Sequence, residues 1–420
     1  MRGRGRGGIF RALGRESFQH LYTPPVHSDL RVLWGSPLPP IRSGIADYAI
    51  ELLPELVRLA RVRVLRPPGW TAPGDWPREL ETVPADTKAA AGEISLIHLG
   101  NNPYHLWLNA RLTEPRSPTT TVVVPHDVVL HHLLVAGTVA AGDRAAFARL
   151  MSSAHGEAGV ALAAARAVGI SGRLDPFLLP SLEPFLARAT GVVVHSAWAE
   201  AQVRRVRPEL PVAHIALAVA DPGPARPSTE RSRLGLGRDE VVLMHLGFLT
   251  REKGLHEILG GVAAAVRCDV PVRLVVVGEG TALRALEHAA AAAGISDRVV
   301  TTGWVESESL PRLPAAADLG VVLRTPSAGE TSAAALRFLA CGVPVAVGGT
   351  RQFLEWPELA APRLTPGPAA AADLARLLHL AGRNGWAERR RAARAAYENG
   401  HQPAAAARKL VGFLSSLPIS

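Results

Sequence analysis

The run LRTPSAGETSAAALRFLACGVPVAVG carries the densest chemistry in the chain: a strand ends, a Ser/Gly turn follows, and a helix is expected to start near Glu330, with Thr331 and Ser332 beside it. A helix start presents unpaired N–H groups and a partial positive charge, and so takes phosphate. Glu330 would sit badly against phosphate, but held by those N–H groups it can accept hydrogen bonds from sugar hydroxyls. In HLGFLTREKGLHEIL, Gly247 and Gly254 let a ligand approach the backbone, while Lys253, with Arg251 as a second cation, can neutralise a departing diphosphate. In SPLPPIRSGIADY, Ser43 and Gly44 precede another helix start. His126 and Asp127 close the strand VVVP, and Asn101 and Asn102 follow HLG, so polar residues gather where strands of a doubly wound sheet end and such folds bind ligands. His126 can bond a sugar hydroxyl or a developing charge. Of the adjacent His131 and His132, one should face in and one out. Each residue alone is also explained by a cap, a turn or a solvated charge; their joint occurrence carries the reading. No HExxH, carboxylate cluster or cysteine pair marks a metal site, so cationic side chains and helix dipoles are expected to stabilise the leaving diphosphate.

Those residues must be held by strands, and the strands are legible. RVLWG, VRVLR, ISLIHLG, TTTVVVP and GVVVHS are short β-branched runs bounded by turn residues, and EVVLMHLGF, VRLVVVG, RVVTTG, LGVVL and VPVAV repeat the pattern further on. Continuous apolar strands suit parallel sheets covered on both faces. The fold class is therefore α/β with two Rossmann-like halves. Residues 1–28 are expected to form a flexible basic tail, 29–216 the first Rossmann-like domain, 217–238 a Pro/Gly-rich linker, and 239–384 the second domain. Residues 385–420 then supply helix that returns to the first domain. The first helix should bury Ile50, Leu53 and Val57, and an Ala-rich helical region fills the stretch between His132 and Pro184.

At 420 residues the chain exceeds the size at which one core keeps growing, consistent with two domains. Only Cys268 and Cys341 are present, far apart, which fits a reducing cytoplasm. No run approaches the roughly 18 to 20 apolar residues needed to span a bilayer. The net charge of +9 attracts anionic partners, yet aromatics make up 5% and no basic stretch is interleaved with them, which argues against nucleic acid. Peripheral contact with an inner membrane face is compatible with the charge, although no basic amphipathic helix marks it.

In order and at these spacings, the strings SPLPP..SGIADY, LGNN..H, HD..LHH, HS.WAE, KGL, GW and GETS...R.LA.G.PV resemble glycosyltransferase family 4 of the GT-B fold, from about Arg31 to the C-terminus. The resemblance implies two domains facing each other across a cleft and hexose transfer, with retention of configuration, from a nucleotide-diphosphate sugar. The leaving phosphate then helps to deprotonate the acceptor hydroxyl. The donor would be a GDP- or UDP-linked sugar, with no separate cofactor, and the acceptor a glycan, a lipid-linked molecule or a small molecule. Lys253 would bind the diphosphate, Glu330 the transferred sugar, and the amides of Thr331 and Ser332 the phosphate. Gly303, Trp304 and Val305 would lie beside the base, Gly44 near the diphosphate and His126 near the sugar. Two positions depart from the family pattern. Arg337 stands near the place of a second glutamate that bonds the ribose, and Phe248 follows the glycine where many members carry Arg. These departures motivate an alternative, a non-catalytic nucleotide-sugar binding or scaffold protein. A dinucleotide oxidoreductase is disfavoured because VVVGEGTALRAL has only the first two glycines of G-x-G-x-x-G.

Overall fold

The computed structural model describes residues 29–418 apart from 75, 114–118, 225, 307 and 382–385; the expected basic tail lies outside the described residues. The first half holds β1 (Arg31–Gly35), β2 (Arg61–Leu65), β3 (Glu81–Val83), β4 (Glu93–Leu99), β5 (Thr121–Pro125), β6 (Gly191–Val194) and β7 (Val212–His214). They form one parallel sheet in the order β3-β2-β1-β4-β5-β6-β7. The second half holds β8 (Val241–Leu246), β9 (Val272–Val277), β10 (Val299–Gly303), β11 (Leu319–Val322), β12 (Val345–Gly348) and β13 (Arg363–Leu364), also parallel, in the order β10-β9-β8-β11-β12-β13. In both sheets the order reverses beside the first strand, and loops that leave strand C-termini at such a switch point form a crevice. β4 and β8 are buried along their whole length, as strands covered on both faces must be.

The helix Gly44–Leu56 starts at an N-cap, Ser43, whose hydroxyl accepts the Ile45 N–H at 3.2 Å. Its buried stripe runs through Ala49, Leu52, Leu53 and Leu56; Ile50 and Val57, expected inside, are only half-buried. The stripe is centred on Ala49, Leu53 and Leu56, where the helix meets the C-terminal helix Pro403–Ser416, and at about 100° per residue Ile50 and Val57 fall on its flank. That helix, preceded by Ala387–Glu398, returns to the first sheet. Leu417 and Phe413 fill the space a side chain at Gly191 would need, and the Thr120 hydroxyl donates to the Pro418 carbonyl at 2.9 Å.

The segment expected to be a linker is anchored. Leu217, Ala218 and Val219 are buried, the Tyr397 hydroxyl donates to the Val219 carbonyl at 3.1 Å, and a ring nitrogen of His401 lies 2.7 Å from the Leu217 carbonyl. Pro and Gly composition signalled irregular backbone; the apolar triplet within it decided that the backbone is packed.

Candidate active site

Both sheets point their strand C-termini into one cleft, and the loops touch across it. The Ala328 carbonyl accepts the N–H groups of Val128 and Val129 at 3.0 and 3.2 Å, joining the turn before Glu330 to the loop after β5. This contact requires glycine at 329: its φ is +81°, and a Cβ there would lie 1.9 Å from the Trp198 ring and 2.5 Å from Val128. The Glu355 carboxylate adds a second tie, accepting the Ala197 and Trp198 N–H groups at 3.0 and 3.1 Å at the start of the helix Ala197–Val206.

At the centre stand four charged groups. Lys253 ends a short 3-10 turn, Arg251–Lys253, and is followed by Gly254 at φ +61°, where a Cβ would lie 2.8 Å from Leu323. Glycine thus lets the lysine turn press against the strand end that carries Arg324. The Arg324 guanidinium lies 2.5 Å from a Glu330 carboxylate oxygen, whose second oxygen accepts the Ser327 hydroxyl at 3.1 Å. The Nε of Arg324 is buried without a partner among the described residues, a donor available to an anion. Asp127 accepts the Asn101 backbone N–H at 2.8 Å.

The charges perturb one another. Burial first, then the Arg324 charge, pushes Lys253 down to about 7, against the pull of Glu330 and Asp127. Burial first, then the Glu330 charge, pushes Asp127 up to about 7, although part of its surface opens to the cleft. Carboxylates and cations converging in a water-poor cleft are the pattern of a functional site.

Glu330 does not sit in the first turn of a helix. The helix Ala333–Ala340 begins three residues later, with Ser332 as N-cap accepting the Ala335 N–H at 3.3 Å, and Glu330 is held by Arg324 and Ser327 instead of backbone N–H groups. The Thr331 hydroxyl donates to the His195 carbonyl across the cleft at 3.2 Å. Thr331 and Ser332 therefore lie at a helix start beside Glu330, Lys253 and Arg324.

His126 lies on the first-domain wall, its Nε2 3.0 Å from His98 Nδ1, within a group that includes Tyr48 and His195 at ring separations of 5.0 and 4.9 Å. Burial holds His98, His126 and His195 below the ordinary histidine range, and the neighbouring rings add to the effect on His98 and His126. His98 Nε2 is buried without a partner among the described residues. A buried orphan N–H is rarer than an under-used acceptor, which puts the His98 proton on Nδ1. His98 then donates to His126 Nε2, and the proton His126 itself can offer is on Nδ1. Substituting His98 by Phe, which keeps the packing on Trp34 at 4.0 Å, should cost up to about tenfold in turnover, the worth of one hydrogen bond. His98→Asn, which can still donate at that position, should restore most of it. A 15N measurement of the His126 tautomer checks the assignment.

Other expected residues are placed as follows. Asn101 uses its side-chain oxygen on the His132 N–H at 2.8 Å, so it fixes the start of the helix His131–Gly137 as well as Asp127. Asn102 caps a 3-10 turn through the Tyr104 N–H at 3.0 Å. Arg251 is exposed on its turn, without a carboxylate partner among the described residues. Ser43 caps its helix, and Gly44 leaves open space where a Cβ would be. Gly303 has φ +71°; Trp304 packs on Phe248 at 5.6 Å with the Arg42 guanidinium 5.0 Å over its ring, and Val305 is buried. His131 is buried and His132 exposed. Gly278 and Gly280, the two glycines of GEG, pack against the backbone of Gly247 and Leu249, within 2.1 and 2.2 Å of where a Cβ would be.

Two departures acquire physical explanations. The buried Arg337 pairs with Glu51 of the Gly44–Leu56 helix at 2.5 Å, and the other Glu51 oxygen accepts the Ala220 N–H at 2.8 Å. Arg337 thus makes a contact between the two domains. Phe248 packs on Trp304, and a cation that sequence reasoning passed over, Arg324 just beyond β11, stands against Glu330.

Two parallel α/β units closing on a cleft lined by the C-terminal ends of their strands make a GT-B fold. Residues 240–379 match the family model described as Glycosyl transferases group 1. Among curated proteins, the chain is 27% identical over 325 residues to a GDP-mannose-dependent alpha-(1-6)-phosphatidylinositol monomannoside mannosyltransferase of Mycolicibacterium smegmatis, covering 74% of this chain and 78% of that one. It is 30% identical over 159 residues to a 2-deoxystreptamine glucosyltransferase of Streptomyces kanamyceticus, covering 37% of this chain and only 40% of that one. Among solved structures, HepE of Anabaena in complex with UDP and glucose superposes with TM-score 0.64 at 17% identity, covering 92% of this chain and all of the other. Sucrose-phosphate synthase from Thermosynechococcus elongatus gives 0.63 at 17% identity, covering 92% and 98%.

Proposed function

We propose that this chain is a family 4 glycosyltransferase, of the subgroup with a GETS-type donor motif, that moves a hexose from a UDP- or GDP-linked donor onto an acceptor hydroxyl. The transfer retains anomeric configuration and needs no divalent metal. The observation that carries the reading is the convergence of Lys253, Arg324 and Glu330 at one point of the cleft. Two cations beside a helix start supply the charge that a departing diphosphate needs. Glu330, already engaged by Arg324 and Ser327, is suited to orienting a sugar hydroxyl and poorly suited to acting as a free base. This supports a mechanism in which the leaving phosphate takes the acceptor proton. Retention and the absence of a metal requirement belong to the same proposal. So does residence in the cytoplasm, to which Cys268 and Cys341, both free, lend support. No described helix is long and apolar enough to cross a membrane, and contact with an inner membrane face would be peripheral. One relative is named for GDP-mannose and HepE was solved with UDP, so both bases enter the test. The acceptor, whether glycan, lipid-linked or small, is set by loops of the first domain.

The test is thermal unfolding with UDP or GDP, with and without a chelator, as a function of pH. A nucleoside diphosphate at about a hundred times its dissociation constant should stabilise the protein by roughly 2.7 kcal/mol. An anion beside Lys253 raises its pKa above 7, and the same anion further favours protonated Asp127, so above pH 7 binding takes up protons. Affinity should then fall about tenfold per pH unit for each proton, with a much flatter profile below pH 7. Lys253→Met should lose most of the shift and flatten the profile. No shift with either diphosphate would overturn the donor-site reading.

A further inference from the structure

The helix Arg144–Ala167 is two helices joined at Gly156, whose backbone (φ 55°, ψ −133°) leaves the helical region. The halves close on each other so tightly that a Cβ at Gly159 would lie 1.9 Å from the Met151 carbonyl oxygen. Beside the turn they enclose a groove of about 300 Å³, lined by Val139, Phe147, Val160 and Ala163, with Arg144 and Arg166 also in its wall. Neither arginine has a carboxylate partner among the described residues; Arg166 lies over the Phe147 ring at 5.7 Å, and its Nε is buried and unpaired. Its field reaches His132, held below the ordinary range by burial and then by Arg166.

The groove opens beside an apolar surface. Of the ten large hydrophobic side chains exposed among the described residues, five fall between 160 and 178: Val160, Val168, Ile170, Leu174 and Leu178, at 52 to 74% exposure. These five lie within 19 residues that continue from the helix whose Val160 lines the groove. The groove also adjoins the cleft. Phe147 packs on His131 at 5.9 Å, the neighbouring His132 ring is 2.9 Å from the Asn101 amide, and Asn101 holds Asp127.

We propose that this groove and the segment 160–178 dock an anionic phospholipid of a membrane surface, an acyl chain lying on the apolar floor and the phosphate against Arg144 and Arg166. The alternative occupant, a peptide, carries an N–H and a C=O at nearly every residue, and the groove offers only two arginine side chains to satisfy them; an acyl chain asks for none. The guanidiniums, without a carboxylate partner among the described residues, supply complementarity to a headgroup phosphate. The inference deepens the peripheral membrane contact proposed above and stands apart from the donor reading.

The experiment is sedimentation of the full chain with vesicles of phosphatidylcholine alone and of phosphatidylcholine mixed with phosphatidylglycerol, at low and high salt, for the wild type and two variants. Ala164→Trp obstructs the groove from an exposed position, and the pair Ile170→Asp with Leu174→Asp removes exposed apolar groups without touching a core. The expected result is binding to the mixed vesicles that survives in part at high salt and falls about tenfold or more in both variants. Wild type left in the supernatant would overturn the proposal. So would binding that salt abolishes and the variants leave unchanged, which net charge alone would produce. A concentration-dependent dimer lost in both variants would assign the surface to a second copy and also overturn it. Melting shifts with UDP or GDP should be the same in all three proteins, so failure of the lipid arm and failure of the donor reading are separately visible.

Discussion

Replacing Lys253 by Met is expected to lower sugar transfer by about a hundredfold to a thousandfold while leaving the folded protein at least as stable as the wild type. The two halves of this expectation have one cause. The lysine is buried, and the cost of desolvating its charge together with the nearby Arg324 outweighs the attraction of Glu330 and Asp127, since the balance holds its pKa at about 7 against 10.5 in the unfolded chain. Between pH 7 and 10.5 the unfolded chain binds more protons at this position, so wild-type stability should rise across that window; below pH 7 the full cost remains. A methionine of similar length removes the cost and the slope. What it also removes is a cation fixed in a dry cleft before the diphosphate leaves, where a preorganised charge is worth far more than in water. A destabilised group kept at a site where charge develops is the expected trade between stability and function. Comparing kcat/KM with the midpoint of chemical unfolding decides the matter. Equal activity, or a marked loss of stability, would return Lys253 to the role of an ordinary structural charge.

Arg324→Ala should produce a loss of similar order for a different reason. It frees Glu330, whose only other side-chain partner among the described residues is Ser327, and takes away the buried Nε that has no partner among them. The two cations share one task, so the double variant should lose less than the product of the single losses.

Arg324 shows where legibility in the sequence ended. The strands could be read because each is a short β-branched run between turn residues, and the rule that polar residues at strand ends line a crevice picked out His126 and Asp127. The same rule, applied to LGVVL followed by Arg324, finds the second cation. His98 had no such signal. It lies inside the apolar run ISLIHLG, and only the register of β4 beside β5, pairing His98 with Val124, reveals that it can reach His126. The ties across the cleft were invisible for a more general reason. Glu355 meets Ala197, and Glu51 meets Arg337, over sequence separations that no periodicity spans. The expectation that backbone N–H groups hold Glu330 failed because the helix begins at Ala333, and element boundaries depend on which hydroxyl becomes the cap, here Ser332.

The pair Glu51–Arg337 carries the largest expected effect on stability. Arg337 is buried in the helix Ala333–Ala340 with Nη1 unpaired among the described residues, and its partner oxygen belongs to a helix of the other domain. Glu51→Gln leaves the guanidinium buried without a counter-charge, and removing one partner of a buried pair costs about 3–5 kcal/mol. The midpoint of chemical unfolding should fall accordingly; a change below about 1 kcal/mol would be that of an exposed pair and would contradict the burial argument. The double variant Glu51→Leu with Arg337→Met replaces the pair by apolar groups of similar size and should recover most of the loss, because two desolvation costs vanish with the attraction. It also separates the two roles open to Arg337. If the arginine is a brace, the recovered protein keeps its melting shift with UDP or GDP. If instead it bonds the donor, as its place near a family glutamate would allow, the shift disappears although the fold has been restored. The geometry favours the brace: both Glu51 oxygens are occupied, one by Arg337 and one by the Ala220 N–H, so the contact fixes the first helix, the second domain and the connecting segment at one point.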